Sequence, residues 1–226
     1  MELLLSNFIG YHYFSHKKIF EENLYPWELL RELPSYIERY LQQEKELIGT
    51  MNFLGPKIIV GKNVTIEEGA FIKGPAIIGD DVQIRHGAYI RENVIIGDNC
   101  KIGHCSEIKH SLIVNGSNVP HFNYIGDSII GKEVNFGAGS ICSNYKNLPY
   151  GSEINITAEG GTISTGLTHF GAVVGDGSKI GCNTVLNPGT ILGRGVVTYS
   201  NLSLRGIIEA GHLIKSPDIE GKVVIR

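Results

Sequence analysis

Residues 54–114 read LGPKIIVGKNVTIEEGAFIKGPAIIGDDVQIRHGAYIRENVIIGDNCKIGHCSEIKHSLIV, and this stretch decides the fold. Every sixth residue from Leu54 is aliphatic: Leu54, Val60, Ile66, Ile72, Ile78, Ile84, Ile90, Ile96, Ile102, Ile108 and Val114. Four residues after each comes a small or apolar one: Ile58, Val64, Ala70, Ala76, Val82, Ala88, Val94, Cys100, then Ser106. Glycine often follows the aliphatic residue directly, as at Gly55, Gly61, Gly79, Gly97 and Gly103. A period of six fits neither an α-helix nor an isolated strand. It fits a coil whose flat sides are single short strands, with a corner every six residues. Three sides give a turn of about 18 residues, so each residue stacks on its counterpart one turn later, about 4.8 Å away in a parallel ladder. The expected fold class is all-β, a parallel β-helix, and its β-branched Ile and Val suit that ladder.

After Val114 the next aliphatic pair is Ile130 and Phe136, so the register breaks. The intervening NGSNVPHFNYIGDS is expected to leave the prism as a loop near 115–129. A second excursion, 143–172, precedes the run Val174, Ile180, Leu186 and Leu192, with Ser178, Thr184, Thr190 and Val196 at the small positions. Loops that interrupt so regular a scaffold are the first place to look for chemistry. Residues 15–48 lack glycine, and Tyr36, Ile37, Tyr40, Leu41, Leu47 and Ile48 recur at helical spacing. Pro26 and Pro34 should divide this segment into short helices, with Ser35 as an N-cap. We expect these helices to cap the end of the coil and block edge pairing. The organisation read from sequence is thus a helical cap over 1–50, the β-helix over 51–216 and a tail over 217–226.

Composition narrows the function. A net charge of −3 gives no electrostatic reason for nucleic acid or an anionic membrane. No stretch reaches the ~20 apolar residues that span a bilayer. The opening MELLLSNFIGYHYF has no basic region, long apolar run or A-x-A site, so no signal peptide is expected. Four cysteines (Cys100, Cys105, Cys142 and Cys182) show no CxxC spacing and read as reduced thiols in the cytoplasm.

Stacking by whole turns makes columns legible. Lys73, Arg91 and Lys109 are 18 apart and form a vertical column of cations. Stacked like charges repel; either a bound phosphate relieves them, or Glu92 and Glu107 neutralise a solvated face. His86 and His104 also stack, with His110 six residues on. Imidazoles in register can hold a metal, but no acidic water-activating partner is evident, so no metal is expected. His121 lies in the first expected loop, between the cation column and a polar cluster of Asn135 and Asn144–Tyr145. An imidazole there suits a general base.

The motifs EIKHSLI, HFNYIGDSIIG and VNFGAGSICSNY, between Arg91 and Tyr145, resemble the acetyltransferase domain of the bifunctional bacterial enzymes that make UDP-N-acetylglucosamine. YPWELL near the start and FGAVVGDGSKIGCNTVLNPGTILGRG near the end resemble stand-alone relatives often labelled pyrophosphorylase-like. No Gly-rich nucleotide loop of the GxGTR type occurs in this chain to match that label. The resemblance implies a left-handed coil, a homotrimer with active sites between subunits, and acetyl-CoA as co-substrate. It implies that Arg91, Lys109 and Tyr124 hold a sugar phosphate and that His121 takes the proton of the attacking amine. Asn135 would contact the sugar, while Asn144 and the Tyr145 backbone orient the amino group. The Ala138 amide would serve as oxyanion donor, and Cys182 and Asn183 would line the acetyl-CoA channel.

One departure stands out. The family carries a lysine shortly after the Asn-Tyr pair, where this chain has Tyr150; Lys146 and His169 are the candidates to replace it. The expected activity is acetyl transfer to glucosamine or galactosamine 1-phosphate. The alternatives are an acyltransferase on a nucleotide-linked amino sugar, or a non-catalytic trimeric partner of a separate nucleotidyltransferase.

Overall fold

A computed structural model describes residues 3–43, 57–147, 149–158 and 160–215. Leu47, Ile48, Leu54 and the 217–226 tail of the sequence reading lie outside the described residues. The chain winds into a three-sided, all-parallel β-solenoid of the left-handed hexapeptide type. Eight strands, from Ile58–Val60 to Ile207–Ile208, form the first face. Eight more, from Thr65–Ile66 to Leu213–Ile214, form the second, and seven, from Phe71–Ile72 to Ser203–Leu204, form the third. The period-six aliphatics fill the interior: Ile72, Ile90 and Ile108 stack in register, as do Ile84 and Ile102.

Corners turn through left-handed backbone. Asn63, Asp81 and Asn99 take φ of 55–58° at one corner, a region that Asn and Asp tolerate better than other side chains. The residues before them cross-brace the turns: the Lys62 N–H donates to Asp80 Oδ1 at 2.7 Å, and the Asp80 N–H to Asp98 Oδ1 at 2.9 Å.

Two sequence expectations about register are corrected. The segment 115–129 does not leave the prism. It contributes the strands Asn118–His121 and Tyr124–Gly126, paired in register with the turns on both sides. What changes is the length of the turn. Ile96 lies opposite Ile113, 17 residues on, because a single residue, His110, turns the corner between Lys109 and Ser111. The equivalent earlier corner, between Arg91 and Val94, uses two residues. Asp127 repeats the short corner one turn later, and Ile113 pairs with Ile130. The interior residue is therefore Ile113, whereas Val114 packs outside under the N-terminal segment. The second excursion is real: pairing jumps from Ile130 to Val174. The intervening chain forms an antiparallel hairpin, Asn155–Ala158 with Gly161–Ser164.

The N-terminal segment is helical, and among the described residues it packs along a flank of the prism. Helices α1 (Leu5–Phe8), α2 (Lys18–Glu22) and α3 (Pro26–Gln43) pack on the outward residues of the first face. Those residues include Ile77, Ile95, Leu112, Ile129, Val173 and Ile191, which explains why the strands of this face are buried on both sides. Pro34 does not end a helix and Ser35 is not an N-cap; α3 runs through both. Proline lacks the N–H that would bond the carbonyl four residues back. That carbonyl, on Leu30, accepts a hydrogen bond from His110 Nε2 at 2.8 Å instead. The missing donor of the helix is thus supplied by a corner of the coil. No helix among the described residues is long and apolar enough to cross a membrane.

Candidate functional site

The third face carries the cation column, and each member meets a carboxylate. Lys73 pairs with Glu92 at 3.0 Å, Arg91 with Glu107 at 3.0 Å, and Lys109 with Asp127 at 3.1 Å. Glu92 and Glu107 therefore do neutralise the column. Hydrogen bonding to Glu107 holds the Arg91 guanidinium above its usual range. Burial works to raise the Glu92 carboxyl, but Lys73 and Arg91 prevail and its pKa is lowered. The pairing leaves one donor over: Arg91 Nε is buried and has no hydrogen-bond partner among the described residues. A buried donor of this kind calls for a ligand or water acceptor.

The next position of the column is Gly126, opposite Lys109. A side chain there would displace the Tyr124 ring, because a Cβ on Gly126 would lie 2.5 Å from the Tyr124 hydroxyl. The phenol thus occupies the space a fourth column residue would take. Burial, then the charges of Asp127 and Glu107, push its pKa up, and Arg91 opposes them. Tyr124 consequently stays a neutral hydroxyl donor at the foot of the cations.

The two short corners supply the rest of this cluster. His110 and Asp127 stack one above the other with φ of 44° and 47°, and His110 Nδ1 stands 3.9 Å from Asp127 Oδ1. Asp127, whose side chain is 6% exposed, also accepts from the amide of Asn144. That bond fixes the Asn144 amide orientation and leaves its Oδ1 for another donor. Asp127 was not singled out by the sequence reading, although its place one 17-residue turn after His110 is the signal that marks it.

His121 ends a coil strand rather than riding on a loop. It is paired with His104, so His86, His104 and His121 form one column, and the first two rings stack at 5.7 Å. His110 stands apart, at the corner against α3. Among the described residues no group of three or more His, Cys, Asp or Glu is placed to hold a metal. The imidazole of His121 is exposed, beside Phe122 in left-handed backbone (φ 51°).

This corner is secured from inside by Asn123, 3% exposed and stacked between Ser106 and Ser140. Asn123 Oδ1 accepts from the His121 N–H at 2.9 Å, and Nδ2 donates to the Gly137 carbonyl at 2.8 Å and to Ser140 Oγ at 3.0 Å. Asn123 thereby joins the His121 corner to the Gly137–Gly139 turn above it. Directly over His121 in the column comes Ala138. Its N–H meets no hydrogen-bond acceptor among the described residues, whereas its neighbours Gly137 and Gly139 donate to Ile180 and His121. Cys182 follows one turn higher, exposed, with Asn183 (φ 55°) at the same corner. Asn135 stands on the second face, three residues before Ala138 and paired with Asn118 and Lys179.

The expected site residues therefore fall into two groups on one chain. Arg91, Lys109, Tyr124 and Asn144 converge through Glu107 and Asp127, with Tyr145 next to Asn144. His121, Asn135, Ala138, Cys182 and Asn183 lie along the adjoining second face and its corner. No hydrogen bond or ion pair joins the side chains of the two groups among the described residues.

The excursion flanks the first group. Tyr145 bridges His169 through the backbone, their rings lie 4.8 Å apart, and Tyr150 packs edge-on against Tyr145 at 5.4 Å. The Gly171 N–H donates to the Asp127 carbonyl, and Arg31 of α3 donates to the Thr165 carbonyl at 2.8 Å. Coil, excursion and α3 are thus bonded to one another around Asp127.

The family model described as the GMPPB C-terminal domain matches residues 72–165. A bifunctional sugar-1-phosphate nucleotidylyltransferase/acetyltransferase from Sulfurisphaera tokodaii is 33% identical over 102 residues, 45% of this chain and 25% of that protein. The bifunctional protein GlmU of Methanococcus maripaludis is 38% identical over 200 residues, 86% of this chain and 46% of its own length. The chain thus spans between a quarter and about half of these relatives. Among solved structures, a putative acetyltransferase from Bacillus cereus is similar at 16% identity and a TM-score of 0.40, over 74% of this chain and 76% of that one.

Proposed function

We propose that this protein is an acetyl-CoA-dependent N-acetyltransferase that acts as a homotrimer on an amino-sugar 1-phosphate, glucosamine or galactosamine 1-phosphate. Its place would be the synthesis of nucleotide-sugar precursors of the cell envelope. The observation that carries the reading is the convergence of Arg91, Lys109, Tyr124 and Asn144 on one face, with a spare buried donor on Arg91. The name of one relative, a bifunctional sugar-1-phosphate nucleotidylyltransferase/acetyltransferase, supports the reading.

The residues divide the work by their chemistry. Arg91 Nε, Lys109 and the neutral Tyr124 hydroxyl donate to the phosphate. Asn144, its amide pinned by Asp127, turns Oδ1 toward the amino group and orients it. Acetyl-CoA supplies the activated acyl carbon. The Ala138 N–H, without an acceptor among the described residues, fits the thioester oxygen and steadies the charge that grows there. His121, one ladder step of about 4.8 Å below it, takes a proton from the attacking amine. A C–N bond forms, the C–S bond breaks, and the proton ends on the departing thiol. Because the two groups stand on adjoining faces, a neighbouring subunit completes the site in this proposal.

The test is release of free CoA thiol from acetyl-CoA with glucosamine 1-phosphate or galactosamine 1-phosphate, against the same sugars linked to a nucleotide. Release that requires the 1-phosphate supports the proposal. Release only with the nucleotide-linked sugars, or with neither, contradicts it.

A further inference from the structure

Beside Lys109 lies a cavity that no single element forms. Leu30 of α3, the corner residues Lys109, His110 and Asp127, and Gly166 to His169 of the excursion line an open cavity of about 370 Å³. That volume is at the lower end for small-molecule sites and gives room for one sugar ring. Its walls mix an apolar edge, Leu30 and Leu167, with groups that both donate and accept. Thr168 Oγ1 and His169 Nδ1 lie 3.3 Å apart on one side, and Lys109 and Asp127 stand on the other. His110, with Nε2 donating to Leu30, turns its Nδ1 toward Asp127. Alternating donors and acceptors against an apolar edge suit a hydroxyl-bearing ring. A wholly cationic wall would suit a second phosphate, and Asp127 argues against that.

The excursion also shows which of its residues is available. Lys146 Nζ donates to the Glu153 carbonyl at 2.7 Å and is spent on closing the base of the excursion. Glu153 in turn accepts from Ser164 and from the Gly166 N–H, which sets the backbone just before Thr168 and His169. His169 is placed from the other side by its bridge to Tyr145. Its ring is therefore held at the cavity wall by the hairpin on one side and by the Asn144–Tyr145 strand end on the other.

We propose that this cavity is the sugar-ring subsite of the acceptor, and that Thr168 and His169 bind its ring hydroxyls and set sugar preference. The assignment rests on the acetyltransferase reading above for the identity of the acceptor. It adds a binding role for the excursion: the coil supplies phosphate-binding and catalytic groups, and the inserted chain reads the sugar.

Calorimetric titration of glucosamine 1-phosphate into the wild type, His169→Ala and His169→Gln, with steady-state acetyl transfer on the same proteins, tests this. His169→Ala should weaken binding and raise the acceptor KM about tenfold, the worth of one good hydrogen bond, with the acetyl-CoA KM unchanged. His169→Gln, which keeps a donor and an acceptor, should recover most of the loss. Should His169→Ala fail to fold, Thr168→Val is expected to move the acceptor KM in the same direction. Binding and transfer that ignore both substitutions would overturn the subsite and leave the acetyltransferase reading standing. Binding that depends on His169 without acetyl transfer would keep the subsite and overturn that reading. No binding by the wild type would overturn both.

Discussion

Replacing Asn123 with alanine should damage stability and catalysis together, although the residue touches no ligand in this account. Asn123 is 3% exposed and forms hydrogen bonds with the His121 N–H, the Gly137 carbonyl, the Ser140 carbonyl and Ser140 Oγ, at 2.8–3.2 Å. Both carbonyls keep a second donor, since Ser140 Oγ donates to Gly137 and the Tyr124 N–H to Ser140. The exposed corner at His121 can turn to water. Each lost bond then costs about 1 kcal/mol rather than a full desolvation penalty. With three bonds made at once and the small void left behind, the sum is about 3–5 kcal/mol, or on the order of 10 °C in Tm for a chain of this size. The catalytic effect has a separate origin. Asn123 fixes the height of His121 relative to Ala138, and a misplacement of about 1 Å costs roughly 100-fold in rate. We therefore expect kcat to fall by about 10- to 100-fold with little change in either KM. Denaturant unfolding at fixed protein concentration and steady-state kinetics read both effects. A variant with wild-type midpoint and kcat would refute the claim that Asn123 ties the two turns together.

Three further outcomes are expected. Lys109→Ala should weaken the sugar phosphate by about 10-fold or more, the worth of a charged hydrogen bond, and leave acetyl-CoA nearly untouched; equal losses in titrations of both ligands would contradict the phosphate column. Ile96→Asp places a carboxylate in the coil interior, where Ile96 is 1% exposed, at a cost of several kcal/mol; a soluble, cooperatively unfolding trimer would mean the interior is misassigned. His16 is buried under α3, which lowers its pKa from 6.5 to about 4. The unfolded chain therefore takes up a proton below pH 6.5 that the folded one refuses until about 4. Stability is full above pH 6.5 and falls as the pH drops through that window, by up to about 3 kcal/mol. Unfolding midpoints between pH 7 and 5 should flatten in His16→Gln, and an unchanged slope would contradict the assignment.

The sequence speaks most clearly where its turns are identical. From Val60 to Ile108 every turn has the same length, so interior residues recur without interruption. The reading slips at His110, where a corner shortens by one residue. Val114 continued the period by coincidence, because it is apolar for another purpose, the packing of the N-terminal segment. From that slip came the expected loop at 115–129, and with it the placing of His121 on a loop. A second period is legible as well: Ile59, Ile77 and Ile95 recur at 18 as outward apolar residues on one face only. An apolar outer column means a covered face, and it could have placed the helices along the flank. Stacking and motif bring Arg91, Lys109, Tyr124 and Asn144 forward as candidates, and the structure gathers them on one face. Asn123 and Asp127 were missed because their roles lie in bonds across 14 to 18 residues, which depend on the shortened turns.

The most direct test of the central claim is CoA thiol release from acetyl-CoA and glucosamine 1-phosphate or galactosamine 1-phosphate by the wild type and by His121→Ala. Turnover that requires the sugar phosphate, and is abolished in His121→Ala while the melting temperature and assembly remain those of the wild type, is the predicted result. Equal thiol release by the two proteins would contradict the role of His121, and no release by a folded wild type would contradict the proposed reaction.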